Sequence, residues 1–189
     1  MARLSRGTQL ALVLLAAAVW QFGEAVYITA KASLAQHLIA SAWERAREGE
    51  AAPKPWPWAD TWPVARLTAP GHEVSLYVLA DASGRSLAFG PGQLSGSAAP
   101  GRGNTVISGH RDTHFAFLER VRDGDEIVLE LADGSARRYR VSDSAVVDHR
   151  NVSVAGPTGD DRVTLLTCFP FRAISPRGPL RYVVTASPI

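Results

Sequence analysis

Cys168 is the only cysteine in the 189 residues, and it closes an apolar run, Val163-Thr-Leu-Leu-Thr-Cys168. Arg181 follows thirteen residues later inside a second run, Leu180-Arg-Tyr-Val-Val184, and His110 comes just after a third, Thr105-Val-Ile107. A lone thiol has no internal disulfide partner and cannot build a cysteine-rich metal site. It is therefore core filler, an intermolecular thiol or a nucleophile. An imidazole and a guanidinium, each in or at the end of a strand-like run, favour the nucleophile, because a cationic neighbour lowers a thiol pKa and stabilises the thiolate. In such a set the sulfur attacks a carbonyl, and His110 holds the displaced proton and returns it to the leaving amine. Arg181 cannot act as a base, so its part is to hold the developing oxyanion and the substrate backbone, with a backbone N–H near Cys168 as second donor.

Neighbouring residues sharpen this reading. Pro170 lacks a ladder donor, so the strand ends just past the thiol and presents it at a sheet rim. Asp112 or Thr113 reads as the cap of a helical turn over Phe115–Leu118. His110 and His114 are four apart, but the glutamate of a zinc-protease helix is missing and Gly109 argues for a strand end, so no metal site is expected. His114 reads as a loop residue lining the cleft, with Thr167 and Ser108 also at the substrate site. His72 and His149 read as exposed loop histidines.

The segments Gly103-Asn-Thr-Val-Ile-Ser-Gly-His-Arg-Asp-Thr-His-Phe115, Thr164-Leu-Leu-Thr-Cys-Phe-Pro-Phe171 and Pro179-Leu-Arg-Tyr-Val-Val184 resemble the histidine, cysteine and arginine motifs of the sortases, in the same order. The likeness extends over roughly residues 63–188 and is nearest to the proteobacterial class GN branch, then to classes D and E. Lys54-Pro-Trp-Pro-Trp-Ala-Asp-Thr-Trp-Pro-Val64 also resembles that branch. The resemblance implies a cysteine transpeptidase that cuts a C-terminal sorting signal of the Leu-Pro-x-Thr-Gly type. A thioester acyl-enzyme would then pass the acyl group to an amine of the envelope or of another protein, with no cofactor. It implies His110, Cys168 and Arg181 as the catalytic residues, and a role in substrate recognition for the connection Val147–Asp161. A plain cysteine endopeptidase and a non-catalytic anchored β-domain are the rival readings.

Three further elements must position these residues. Arg3 and Arg6 precede an apolar stretch from Thr8 to Ala30, near the ~20 residues a spanning helix needs. Ala30-Lys-Ala32 resembles a cleavage site but lies too far from the apolar core. An uncleaved anchor with a cytoplasmic N-terminus is therefore expected, with the remainder exported across a bacterial inner membrane. The anchor helix should continue through residues 25–48 until Gly49 stops it. Domains are then expected at 1–50 (anchor and juxtamembrane helix), 51–62 (a Pro/Trp-rich linker) and 63–189 (the catalytic domain). In the linker, Pro53, Pro55 and Pro57 enforce an extended chain. Trp56, Trp58 and Trp62 either pack across the domain or anchor at a membrane interface.

From Pro63 onward short apolar runs alternate with glycine. Strands are expected at 64–68, 73–79, 86–89, 104–108, 125–131, 136–141, 145–148, 162–168 and 180–186, with a hairpin at Asp133-Gly134. Many short strands with few helices predict a mainly β, closed barrel, as the sortase resemblance also implies. Hydrophobic residues make up 46% of the chain, enough for a core of that kind. The formal net charge of +2 is too small for a nucleic-acid surface, and Arg137-Arg138-Tyr139-Arg140 reads as a solvated strand edge.

Overall fold

The computed structural model describes residues 5–100, 102–150, 154, 156, 159–173 and 178–189. The chain divides into two compact units, residues 1–37 and 38–189, and one helix, α1 (Arg6–Arg47), runs from the first into the second.

In the first unit α1 is long and apolar enough to cross a membrane. Leu10, Leu12, Leu15, Val19, Phe22, Val26 and Ile28 are all exposed along it. A helix apolar on every side has no preferred core face and suits hydrocarbon around it. The second unit begins with the last turns of the same helix, where the pattern becomes one-sided. Ile39, Ala42 and Trp43 are buried, at the i, i+3, i+4 spacing that lines one face. Trp43 packs against Tyr77 with ring centroids 6.1 Å apart. Gly49 stops the helix as expected, with φ +100°. Glu50 N–H donates to the Arg45 carbonyl and Gly49 N–H to that of Ala46, the paired bonds of a Schellman cap.

Residues 51–62 belong to the second unit and pack within it. Pro53, Pro55, Ala59 and Thr61 are buried, and Trp56 meets Phe89 edge-on at 5.0 Å. Of the two uses expected for the tryptophans, Trp56 follows packing across the domain, whereas Trp58 is exposed.

Eight strands then close into a barrel in the order β1-β2-β3-β4-β7-β8-β6-β5. They are β1 (Pro63–Ala69), β2 (Val74–Leu79), β3 (Gly92–Gln93), β4 (Asn104–Ser108), β5 (Glu126–Leu131), β6 (Ala136–Asp148), β7 (Arg162–Cys168) and β8 (Leu180–Pro188). Strand β1 alternates buried and half-buried residues along its length, the period-two signature of a strand with one face on the core. Ala65, Leu67, Ile107, Ile127, Leu129, Tyr139, Val163, Leu165, Val184 and Ala186 fill the interior, with Phe115, Phe117 and Leu118 from the β4–β5 connection.

Four sequence expectations change. Residues 86–89 form a single 3-10 turn, Ser86–Ala88, instead of a strand. The cause is local side-chain bonding, which offers the backbone an alternative to a ladder. Ser83 N–H and Ser86 Oγ both donate to the Asp81 carboxylate, at 2.8 and 2.7 Å. The segments 136–141 and 145–148 are one continuous strand, with a register shift between Val141 and Asp143 where it meets β8. The three arginines at 137, 138 and 140 are exposed, but on a strand paired on both sides and not at an edge. Finally, His72 is not a free loop histidine. It sits in a 3-10 turn, Pro70–His72, with its side chain 11% exposed and Nε2 2.8 Å from Asp125 Oδ2.

Strand β3 has no counterpart among the expected strands. It pairs parallel to β2 and antiparallel to β4. A Cβ on Gly92 would come 2.0 Å from the Asp81 carbonyl oxygen, so the crossing admits only glycine.

Candidate active site

Strand register lines up the three chemically distinctive residues. Cys168 and Arg181 are direct partners across the antiparallel β7–β8 pair. On the other side of β7, β4 runs parallel, with Ser108 level with Leu166. The alignment persists one residue past the ladder, because Gly109 N–H donates to the Leu166 carbonyl at 3.1 Å. Continuing the count sets His110 level with Cys168.

Side-chain alternation gives the face. Ile107, Leu165 and Val184 are core residues; Thr167 and Tyr182 continue that face by period two, and Cys168 and Arg181 take the opposite one. Adjacent strands lie about 4.8 Å apart, so Cys168 and Arg181 stand side by side on the outer wall of the barrel, and His110 follows just past the end of the neighbouring β4. His110 is exposed, and Cys168 and Arg181 are half-buried.

Each position has a local cause. Strand β7 ends at Cys168 as expected, followed by the cis peptide bond Phe169–Pro170. Phe169 N–H donates to the Leu180 carbonyl at 3.1 Å, so this donor, next after the thiol, is already engaged within the sheet. Arg181 Nη1 donates to the carbonyls of Gly178 and Leu180 at 2.7 and 2.8 Å, which folds the guanidinium back along the start of β8.

The residue before His110 is a glycine for steric reasons. A Cβ there would lie 2.8–3.0 Å from Cγ, Cδ1 and Cδ2 of the buried Phe115. The chain then turns: Phe115 N–H donates back to the His110 carbonyl at 2.9 Å and leads into a 3-10 turn, Ala116–Arg120. The turn expected at 115–118 is therefore present, one residue later. Neither Asp112 nor Thr113 caps it; Phe115 stands at the N-cap without a side-chain bond. Burial of Phe117 and Leu118 holds the turn instead.

Of the residues expected at the substrate site, Thr167 is buried and its hydroxyl donates to the Gly109 carbonyl at 2.7 Å. It fastens the cysteine strand to the histidine turn and does not offer its hydroxyl to a cleft. Ser108 is half-buried at the end of β4, opposite Gly92. His114 is half-buried, and its pKa lies below the usual histidine value. Burial is the main cause, charge repulsion from His110 adds to it, and Asp112 opposes both.

The connection before β7 begins after Asp148, since β6 extends that far. Residues 151–153, 155, 157 and 158 of the expected recognition loop lie outside the described residues. Its return is tied down by Asn104, whose Nδ2 donates to the carbonyls of Val154 and Gly156 and whose Oδ1 accepts from Thr164. Nothing in the sequence around Asn104 points to this part, because its partners are some 50 and 60 residues distant. Just beyond Cys168, an open depression of about 390 Å³ is lined by Glu119, Phe169, Pro170, Phe171, Arg172 and Tyr182.

A closed eight-stranded barrel carries a lone cysteine at one strand end, an arginine in register with it and a histidine beyond the adjacent parallel strand. Comparison with known proteins gives the family. The sortase domain family matches residues 67–189, and the chain belongs to the sortase family. It is 30% identical over 109 residues to sortase A of Listeria monocytogenes, a match covering 56% of this chain and 49% of that protein. It is 28% identical over 120 residues to sortase D of Bacillus subtilis, covering 62% of this chain and 60% of that one. The matches thus span about half to three-fifths of these relatives' lengths. Among solved structures, sortase A from Corynebacterium diphtheriae superposes with a TM-score of 0.61 at 28% identity, covering 70% of this chain and 63% of that one.

Proposed function

We propose that this chain is a membrane-anchored cysteine transpeptidase that cleaves a C-terminal sorting signal of the Leu-Pro-x-Thr-Gly type and transfers the product to an amine. The observation that carries the reading is the register that pairs Cys168 with Arg181 across β7 and β8, with the backbone leading into His110 bonded alongside at Leu166.

The Cys168 thiolate attacks the carbonyl carbon before the last residue of the pentapeptide, forming a C–S bond. Arg181, turned away from the Gly178 and Leu180 carbonyls toward the substrate, donates to the resulting oxyanion and to the substrate backbone. As the tetrahedral intermediate collapses the C–N bond breaks, and His110 delivers its proton to the departing amine. An incoming amine then attacks the thioester and surrenders a proton to His110. The new C–N bond replaces C–S, and the thiolate is regenerated. No step draws on a cofactor.

The acceptor is an amine of the cell envelope or of another protein. The apolar part of α1 holds the chain in a bacterial cytoplasmic membrane as a single pass, with the barrel on the extracytoplasmic side. The connection between β6 and β7, anchored through Asn104, contributes to choice of signal. Exchanging it for another sequence without a change in preference would remove it from that role.

The test is cleavage of a fluorogenic sorting-signal peptide with and without a primary amine. Amine-dependent ligated product, lost in Cys168→Ala, is the expected result. Hydrolysis undiminished by amine would identify an endopeptidase instead. A silent Cys168→Ala, with no selective labelling of the thiol by iodoacetamide, would leave a non-catalytic β-domain.

A further inference from the structure

Strand pairing alone does not hold His110, which lies beyond the last ladder residue of β4 and is exposed. Its two chain neighbours, however, are each tied to the cysteine side of the site. Thr167 Oγ1 donates to the Gly109 carbonyl at 2.7 Å, and Arg111 Nη2 donates to the Ala173 carbonyl at 3.0 Å. Thr167 immediately precedes Cys168, and Ala173 ends the turn that follows it. The two bonds therefore bracket the imidazole and the thiol from both sides.

We propose that Arg111 is a positioning residue, its guanidinium fastening the backbone after His110 to the far end of the turn leaving Cys168 and so setting the imidazole-to-sulfur separation. The inference rests on reading His110 and Cys168 as the reacting pair.

The carbonyl that Arg111 grips is a firm anchor. Phe169 and Phe171 meet edge-on at 6.2 Å, and Phe171 packs edge-on against Tyr182 at 5.3 Å. Phe171 and Tyr182 both rest on the hydrophobic core. Ala173 N–H closes the turn on the Pro170 carbonyl at 3.3 Å. A second link from this turn, the Arg172–Glu119 ion pair at 3.3 Å, leads to the 3-10 turn and is largely exposed. Pairs of that kind stabilise little. Arg111 is half-buried and spans 62 residues of sequence, so its charge-assisted bond acts with less competition from water. Reacting groups displaced by about 1 Å can lose rate on the order of a hundredfold, so a tether of this type acts on turnover before it acts on binding.

The experiment uses the full chain in detergent, as wild type, Arg111→Ala, Arg111→Lys, Arg172→Ala, His110→Ala and Cys168→Ala. It measures kcat and KM on the sorting-signal peptide, melting temperature, and the pH profile of Cys168 alkylation by iodoacetamide. Arg111→Ala is expected to lower kcat about ten- to a hundredfold with KM within about twofold. Its alkylation profile should move toward that of His110→Ala, with little change in melting temperature. Arg111→Lys should regain part of the rate, and Arg172→Ala should resemble wild type. An unchanged kcat overturns the proposal, as does a raised KM at constant kcat. A lowered melting temperature with an unmoved alkylation profile overturns it too, because the role would then be structural only. If no peptide is turned over even by wild type, the transpeptidase reading fails alone. The alkylation profiles still decide the tether: a shift in Arg111→Ala upholds it, and coincidence with wild type refutes it.

Discussion

The ring of Phe115 occupies the space that a side chain at Gly109 would need, with ring carbons 2.8–3.0 Å from where a Cβ would sit. The buried aromatic ring and the backbone that leads into His110 are thus one packed unit. Gly109→Ala must displace either the buried ring or the histidine turn, and overpacking of this type costs about 1–3 kcal/mol. Reduced thermal stability together with at least a tenfold fall in peptide cleavage is the expected outcome, the latter because the imidazole moves with its backbone. A companion Gly109→Ala/Phe115→Leu variant, which relieves the clash, should recover part of both.

Arg181 tests whether charge or geometry matters at the position facing Cys168. Lysine keeps the charge but replaces a planar set of donors with a compact ammonium. Arg181→Lys is therefore expected to fold normally yet lose about a hundredfold or more in kcat/KM, the scale associated with removing an oxyanion donor. Near-normal turnover in the lysine variant would show that a point charge suffices and that the planar set of donors is not required.

Thr167→Val removes a hydroxyl while nearly preserving shape, and leaves the Gly109 carbonyl without its 2.7 Å donor. An unsatisfied buried acceptor costs about 1–3 kcal/mol. Denaturant titration should show a loss in that range. Thr167→Ser, which restores the donor, should recover most of it.

Strands β4 and β7 were legible in the sequence to the residue, because each is a compact apolar run with a sharp boundary: Gly103 and Gly109 around one, Pro170 after the other. The three motif residues could be picked out for the same reason. Their placement relative to one another could not, because it depends on strand order. Strand β4 lies beside β7, not β5, and β8 separates β7 from β6, and nothing in local periodicity encodes such crossings. Residues 86–89 read as a strand because their apolar content outweighed the Asp81 and Ser83 side chains that bend them. Strand β3 is only two residues long and exists through its neighbours. His72 looked like a loop histidine because its partner, Asp125, is 53 residues away.

The barrel interior also carries one titratable group with a clear pH signature. Tyr139 is fully buried in the core, and its hydroxyl lies 3.3 Å from both carboxylate oxygens of Asp161. Burial, followed by the Asp161 charge and hydrogen bond, raises its pKa from 10.0 to about 12. In the folded chain the phenol therefore keeps its proton at pH values where the unfolded chain has released it. The associated stability is fully present below pH 10 and is lost as pH rises from 10 toward 12. Tyr139→Phe removes the titration and the bond to Asp161 together. It should cost about 1 kcal/mol near neutrality and flatten the decline between pH 10 and 12. Melting temperatures of the two proteins should accordingly converge across that interval. Parallel decline in both would mean that some other group governs alkaline unfolding.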